Sequence, residues 1–331
     1  MHPMRTKIWT LTLWLLALAL PVRAQGPVIS PVWASRVLSE ERLGQQVAFL
    51  ADSLCEGRRT GTPGSARARE WMIRRFQECG LVACGGSYSH AFQLADGTVG
   101  HNLTGFFPGR SERRCIIVAA HFDGLGILDG RCYPGADSNA SGVVAMLSLA
   151  EMLGEMRAVD VSYDCSILFV GLDARLRDLA GARALWEALE GGRFSHPVTG
   201  RAIRPEDVAL FVNLDQLGCS LAPLKSGDPD YLMMLSEAGS IYRSTLSNCN
   251  FRYDGGLELA FDYYGSDDFT RLFFRRISDQ RVFLDHGIPA VMFTSGITMN
   301  NNKPADGAET LNLPVFLKRI ALIFYWLTKV A

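Results

Sequence analysis

Apolar runs without alternation recur along this chain between stretches of helical period. Residues 115–120 (Cys-Ile-Ile-Val-Ala-Ala) and 166–172 (Ser-Ile-Leu-Phe-Val-Gly-Leu) each predict a short strand buried on both faces. Residues 210–214 and 290–294 have the same character. Between these runs the period changes. Trp71, Ile73 and Phe76 space a helix over 65–79, preceded by Pro63-Gly64 and ended by Gly80. Residues 141–156, rich in Ala, Leu and Met, predict a second helix, and 181–189 a third. A closing apolar helix over 314–330 carries Pro314 at its first position. Doubly buried strands separated by helices predict an α/β fold: a three-layer sandwich with a largely parallel twisted central sheet and helices on both faces. In such sheets sites form past the carboxyl ends of strands. His121, Asp173 and Asp215 stand just past three of them.

The start of the chain bears on where the protein works. Arg5 and Lys7 precede an apolar core over 8–20, Pro21 breaks it, and Val22-Arg-Ala24 fits a small-residue cleavage site. Residues 1–24 therefore read as a secretory signal peptide and 25–331 as a single α/β domain, secreted or periplasmic. The apolar core is shorter than the ~20 residues that span a bilayer, so no stable membrane anchor is expected after cleavage. Composition is ordinary for a globular protein, 48% hydrophobic and 20% charged, and a net charge of −1 gives no case for nucleic acid. Eight cysteines without paired C-x-x-C spacing argue against thiolate metal ligation. An oxidising compartment permits disulfides, and Cys115 and Cys165, which open two predicted strands, are candidates for one bridge. Isolated buried thiols are the equal alternative.

The candidate chemistry lies between two of these elements. His121-Phe-Asp123 ends a predicted strand, and a His-x-Asp pair lets the Asp hold the imidazole in its ligating tautomer. Asp137 follows on the turn Tyr133-Pro-Gly-Ala-Asp-Ser-Asn-Ala-Ser-Gly142, which opens a helix. This is a metallohydrolase layout, although His-x-Asp alone is more often structural.

Further segments make the pattern specific. Val47 to Gly64, Asn102 to Gly109, Ala120-His-Phe-Asp123, Gly135 to Gly142, Asn213-Leu-Asp215 and Gly287-Ile-Pro-Ala290 occur in this order. Together they resemble the two-zinc exopeptidases of peptidase family M28, which includes bacterial leucyl aminopeptidases and is related to glutaminyl cyclases. The resemblance implies zinc, with His121 a ligand of one ion, Asp137 the bridging carboxylate, Asp215 a ligand of the other and Asp123 the residue that orients His121. It also implies a cis peptide bond between Asp137 and Ser138.

Two positions depart from that family. Its segment Asp-Gly-Glu-Glu-x-Gly-Leu-x-Gly-Ser is here Asp173-Ala-Arg-Leu-Arg-Asp-Leu-Ala-Gly-Ala182. Arg175 thus stands at the general-base position and Leu176 at a ligand position. Near the C-terminus Asn302 stands where the resemblance places a His ligand, and Gln280 replaces the His of Ser-Asp-His. A catalytic zinc ordinarily has three protein ligands and an open position. The surviving His121, Asp137 and Asp215 could hold one ion or none, and a protonated Arg cannot take a proton from water. Arg175 is expected instead to supply positive charge among Asp123, Asp137 and Asp215, bonding a carboxylate through two parallel hydrogen bonds. His286, which precedes Gly-Ile-Pro-Ala, is a weaker candidate to replace a lost ligand. The resemblance implies a secreted exopeptidase homologue, nominally an aminopeptidase, with weakened or lost hydrolysis and a peptide or small-molecule ligand. One alternative is an inactive pseudo-peptidase that binds without cleaving. A second is a glutaminyl-cyclase-like acyl transferase, which needs the Glu and His that this chain lacks.

Overall fold

Local signals fix the elements of the chain, seen here in a computed structural model that describes residues 34, 37–158, 161–220, 227–237, 239–263 and 265–331. The signal-peptide reading of 1–24 lies outside the described residues. The first long helix, α1 (Glu40–Ala51), begins where Ser39 accepts a hydrogen bond from Arg42 N, and Glu40 and Glu41 occupy its positive end. In α2 (Pro63–Glu78) Thr62 caps Ser65 N and Pro63 takes a position where no N–H is needed.

The sheet comprises β1 (Val82–Ala83), β2 (Ser89–Gln93), β3 (Val99–Phe107), β4 (Cys115–His121), β7 (Ser166–Leu172), β8 (Val208–Leu214), β9 (Tyr231–Ser236), β10 (Glu258–Ala260) and β11 (Ala290–Thr294). A separate hairpin is formed by β5 (Gly126–Leu128) and β6 (Arg131–Tyr133). The order is β1-β3-β7-β4-β8-β11-β9-β10, with β2 beside β3. Strands β7, β4, β8 and β11 run parallel, as do β9 and β10; β1 and β2 on β3, β3 on β7, and β9 on β11 are antiparallel. The sheet is therefore mixed, with a parallel centre and antiparallel flanks.

Helices cover both faces. Together with α1 and α2, one layer contains α3 (Gly142–Arg157), α5 (Ser240–Arg252) and α8 (Leu313–Val330). The other contains α4 (Ala180–Glu190), α6 (Asp267–Arg276) and α7 (Gln280–Asp285). The pleat of β4 divides between them: Ile116, Val118 and Ala120 join the first core, Cys115, Ile117 and Ala119 the second. That alternation overturns the proposed Cys115–Cys165 bridge. Cys115 pairs in register with Ser166, so Cys165 is one residue out of step and packs into the opposite core; all eight cysteines are free thiols.

A buried charge ties the site-bearing loops to this frame. Arg58 is fully buried and donates to four carbonyls: Phe122 O at 2.8 Å, Leu50 O at 2.5 Å, Pro134 O at 2.7 Å and Gly135 O at 2.8 Å. Its neighbour Gly57 has φ +61°, and a Cβ there would stand 2.4 Å from Tyr133 O, so no side chain fits.

Candidate functional site

The parallel centre brings three loops to one edge. His121 ends β4, Asp173 follows β7 and Asp215 follows β8. His121 is buried between two carboxylates: Nδ1 lies 3.2 Å from the Asp123 carbonyl and 3.4 Å from Asp123 Oδ1, and Nε2 lies 3.6 Å from Asp215 Oδ1. The last distance is that of an ion pair, too long for a hydrogen bond. Burial and the Arg175 guanidinium push the imidazole pKa down; Asp123 and Asp215 outweigh them and raise it to about 9. The two flanking carboxylates favour the protonated imidazole.

Arg175 closes the group from the other side. Its Nη2 donates to Asp215 Oδ2 at 3.3 Å and to Ile277 O at 3.0 Å, and Nε to Ser278 Oγ at 3.4 Å. Ser278 Oγ in turn donates to Asp215 Oδ2 at 2.7 Å. Burial works against the carboxylate of Asp215, but Arg175, His121 and Ser278 hold it well below the usual range. Asp279, next to Ser278, is fully buried with neither oxygen hydrogen-bonded among the described residues, and burial pushes it up to about 6. Asp173 accepts from Thr60 Oγ1, Ala174 N and His101 N; burial and Asp123 raise it to about 6.

Asp137 is held elsewhere. On the turn before α3 its Oδ1 accepts from Gly218 N at 2.8 Å, Ser141 Oγ at 3.1 Å and Cys219 N at 3.3 Å. The Asp306 carboxylate accepts from Asp137 N at 2.8 Å and Ser138 N at 3.1 Å, pinning the 300–306 loop to the turn. Burial and Asp306 raise the Asp137 pKa to about 6. Asn139 fixes the rest of the turn, donating to His121 O and Leu214 O and accepting from Gly142 N and Gln216 N. The cis peptide bond lies between Ser138 and Asn139, one residue beyond the expected position, where the Asn139 side chain anchors the chain on both sides.

Four of the singled-out residues thus meet: His121, Asp123, Arg175 and Asp215. Arg175 binds Asp215 through one nitrogen, not through two parallel bonds, and Asp137 is not among its hydrogen-bond partners: Asp137 Oδ1 is turned to the backbone of 218–219, and its Oδ2 is buried with no hydrogen-bond partner among the described residues. Leu176 is 38% exposed; its N–H donates to Asp123 Oδ2, and its side chain lines a cavity of about 180 Å³ with Arg59, Thr60, Asp123, Gly124, Leu125, Leu128 and Arg177. Asn302 is exposed on the 300–306 loop at φ 58°. His286 is structural: Nδ1 lies 2.7 Å from Val282 O and the ring stacks on Trp186 at 4.0 Å.

These residues do not fit the family's two zinc ions. Among the described residues no group of three or more His, Cys, Asp and Glu side chains is placed to hold a metal. Asp215 already pairs with the Arg175 guanidinium, and that fixed charge repels a dication. Reasoning from sequence missed Asp279, Ser278, Asp306 and Arg58. Ser278 and Asp279 immediately precede Gln280, and Asp306 follows Asn302 on the same loop. Arg58 lay within the segment Val47 to Gly64, where nothing marked it out from its neighbours.

A model of peptidase family M28 matches residues 102–327. Among curated proteins, a Danio rerio BOS complex subunit ncln is 27% identical over 195 residues, 53% of this chain; the chain spans 31% of that relative's length. Among solved structures, the Legionella pneumophila LapA aminopeptidase superposes with TM-score 0.68 at 15% identity, covering 91% of this chain and 74% of its own. Macrostomum lignano glutaminyl cyclase gives TM-score 0.68 at 17% identity, covering 92% and 93%. At such identities these structures establish the fold alone.

Proposed function

Because the chain belongs to peptidase family M28, yet carries an arginine and a leucine at the two positions where that family's resemblance places its glutamates, we propose that it is a peptidase-fold protein that binds rather than hydrolyses. One observation carries this reading: Arg175 lies against Asp215, which also faces His121, so the centre of the site holds a fixed cation of its own. A guanidinium cannot act as general base toward water, and Leu176 offers no lone pair to a metal. The ligand is a short peptide or small molecule taken into the cavity beside Asp123, whose walls include Leu125, Leu128 and Leu176 with Arg59 and Arg177 alongside. The curated relative's name, a subunit of a complex, accords with a role exerted through binding. The protein is exported through residues 1–24, so its mature form begins at Gln25. Among the described residues no helix is long and apolar enough to cross a membrane.

Aminoacyl-anilide hydrolysis by the purified mature protein, followed with added zinc and with a chelator, tests the reading. The expected rate is the buffer background in both. Zinc-dependent turnover removed by the chelator would overturn the proposal and return the protein to the hydrolases.

A further inference from the structure

Acidic side chains crowd around one guanidinium at the carboxyl edge of the sheet. Asp123, Asp215 and Asp279 are all buried, and Asp123 Oδ1, Asp215 Oδ1 and both oxygens of Asp279 have no hydrogen-bond partner among the described residues. Buried carboxylates are expensive unless a cation compensates them. His121 and Arg175 stand among them, and the guanidinium keeps its charge at every pH a protein meets. Arg175 is also locked in place. Ile277 O and Ser278 Oγ accept from it while Asp215 holds its end, so it cannot swing out without breaking three contacts.

Resting on the non-hydrolytic reading above, we infer that Arg175 is a built-in counter-cation: it supplies the charge that lets Asp215, Asp123 and Asp279 be buried together, and it keeps a divalent ion out of the same space. Restoring the lost ligands therefore does not restore a metal site while Arg175 remains. Glutamate at 176 would sit beside Asp123, where Leu176 N already bonds that carboxylate, and histidine at 302 would sit on the loop pinned to the Asp137 turn. Any ion entering would still meet the guanidinium held on Asp215.

Zinc retained per chain after dialysis against zinc, measured by elemental mass spectrometry, tests this on three proteins: the unaltered chain, Leu176→Glu/Asn302→His, and the same pair with Arg175→Met. Zinc is expected to stay only on the triple variant, with an affinity about tenfold or more above that of the double variant. Equal zinc binding by the double variant would overturn the inference and leave the non-hydrolytic reading standing. Tight zinc on the unaltered chain, with turnover, would overturn that reading as well. If the triple variant fails to fold or stays zinc-free, the melting temperatures of Arg175→Met and Arg175→Lys in chelator decide. A drop with Met that Lys largely recovers supports the counter-cation, whereas equal drops overturn it.

Discussion

At positions 174 and 178 the backbone is left-handed, φ 57° at each, yet the residues are Ala and Asp. The family segment that the chain resembles carries glycine at both. The loop from β7 into α4 has kept the shape of a glycine-containing loop after losing the glycines, and Leu179 is left-handed as well. Asp tolerates this region through local hydrogen bonding; a buried Ala does not, at a cost of roughly 1 kcal/mol. Ala174→Gly is therefore expected to stabilise the fold by about 1 kcal/mol in urea denaturation, and no change or a loss would mean that the loop pays no such penalty. Sequence reading at this scale identified which side chains had changed and what each could no longer do. It could not tell where Arg175 would point. That direction is set by Ile277 O and Ser278 Oγ, about a hundred residues away in the chain, and no local pattern encodes it.

Among the elements, legibility followed burial only in part, since the wholly buried β9 was not read from the sequence. Strands β7 and β11 were predicted to the residue and α2, α3, α4 and α8 to within two, because each presents a continuous or helically spaced apolar surface. Helices α1, α5, α6 and α7 and strand β9 were missed; in α5, Ser-Ile-Tyr-Arg-Ser-Thr-Leu-Ser-Asn-Cys-Asn-Phe-Arg buries only Leu246 and Cys249 and leaves Phe251 91% exposed, so its period is faint. The antiparallel flanks were missed for a different reason, since strand direction depends on connections that a run of apolar residues does not record. One helix is fixed by close approach. A Cβ on Gly181 in α4 would stand 2.1 Å from Asp173 O and 2.7 Å from Asn102 Oδ1. Asn102 spans this junction, donating to Gly181 O at 2.7 Å and accepting from Asp173 N at 3.1 Å. Gly181→Ala should push α4 off β3 and cost roughly 3 kcal/mol, read as a lower denaturation midpoint at an unchanged slope.

Considered as a whole, the molecule extends beyond the stretch that the family model covers. Residues before 102 supply α1, α2, β1 and β2, and with them the fully buried Leu50, Val47, Met72 and Phe76 and the Arg58 clamp. Burying each of those apolar side chains contributes roughly 1.5–3 kcal/mol, so together they approach the 5–15 kcal/mol that holds a domain folded. A chain begun at residue 102 is expected to lack near-ultraviolet circular dichroism and a cooperative melt; a native-like spectrum would show the first helices to be dispensable. The free thiols described with the sheet have a practical consequence at this scale. Seven of the eight cysteines are buried and Cys132, on the β6 hairpin strand, is partly open. A bulky maleimide dye added to the native protein would therefore mark one chosen spot on the hairpin that borders the cavity beside Asp123, giving a reporter of the proposed occupancy without any engineered cysteine.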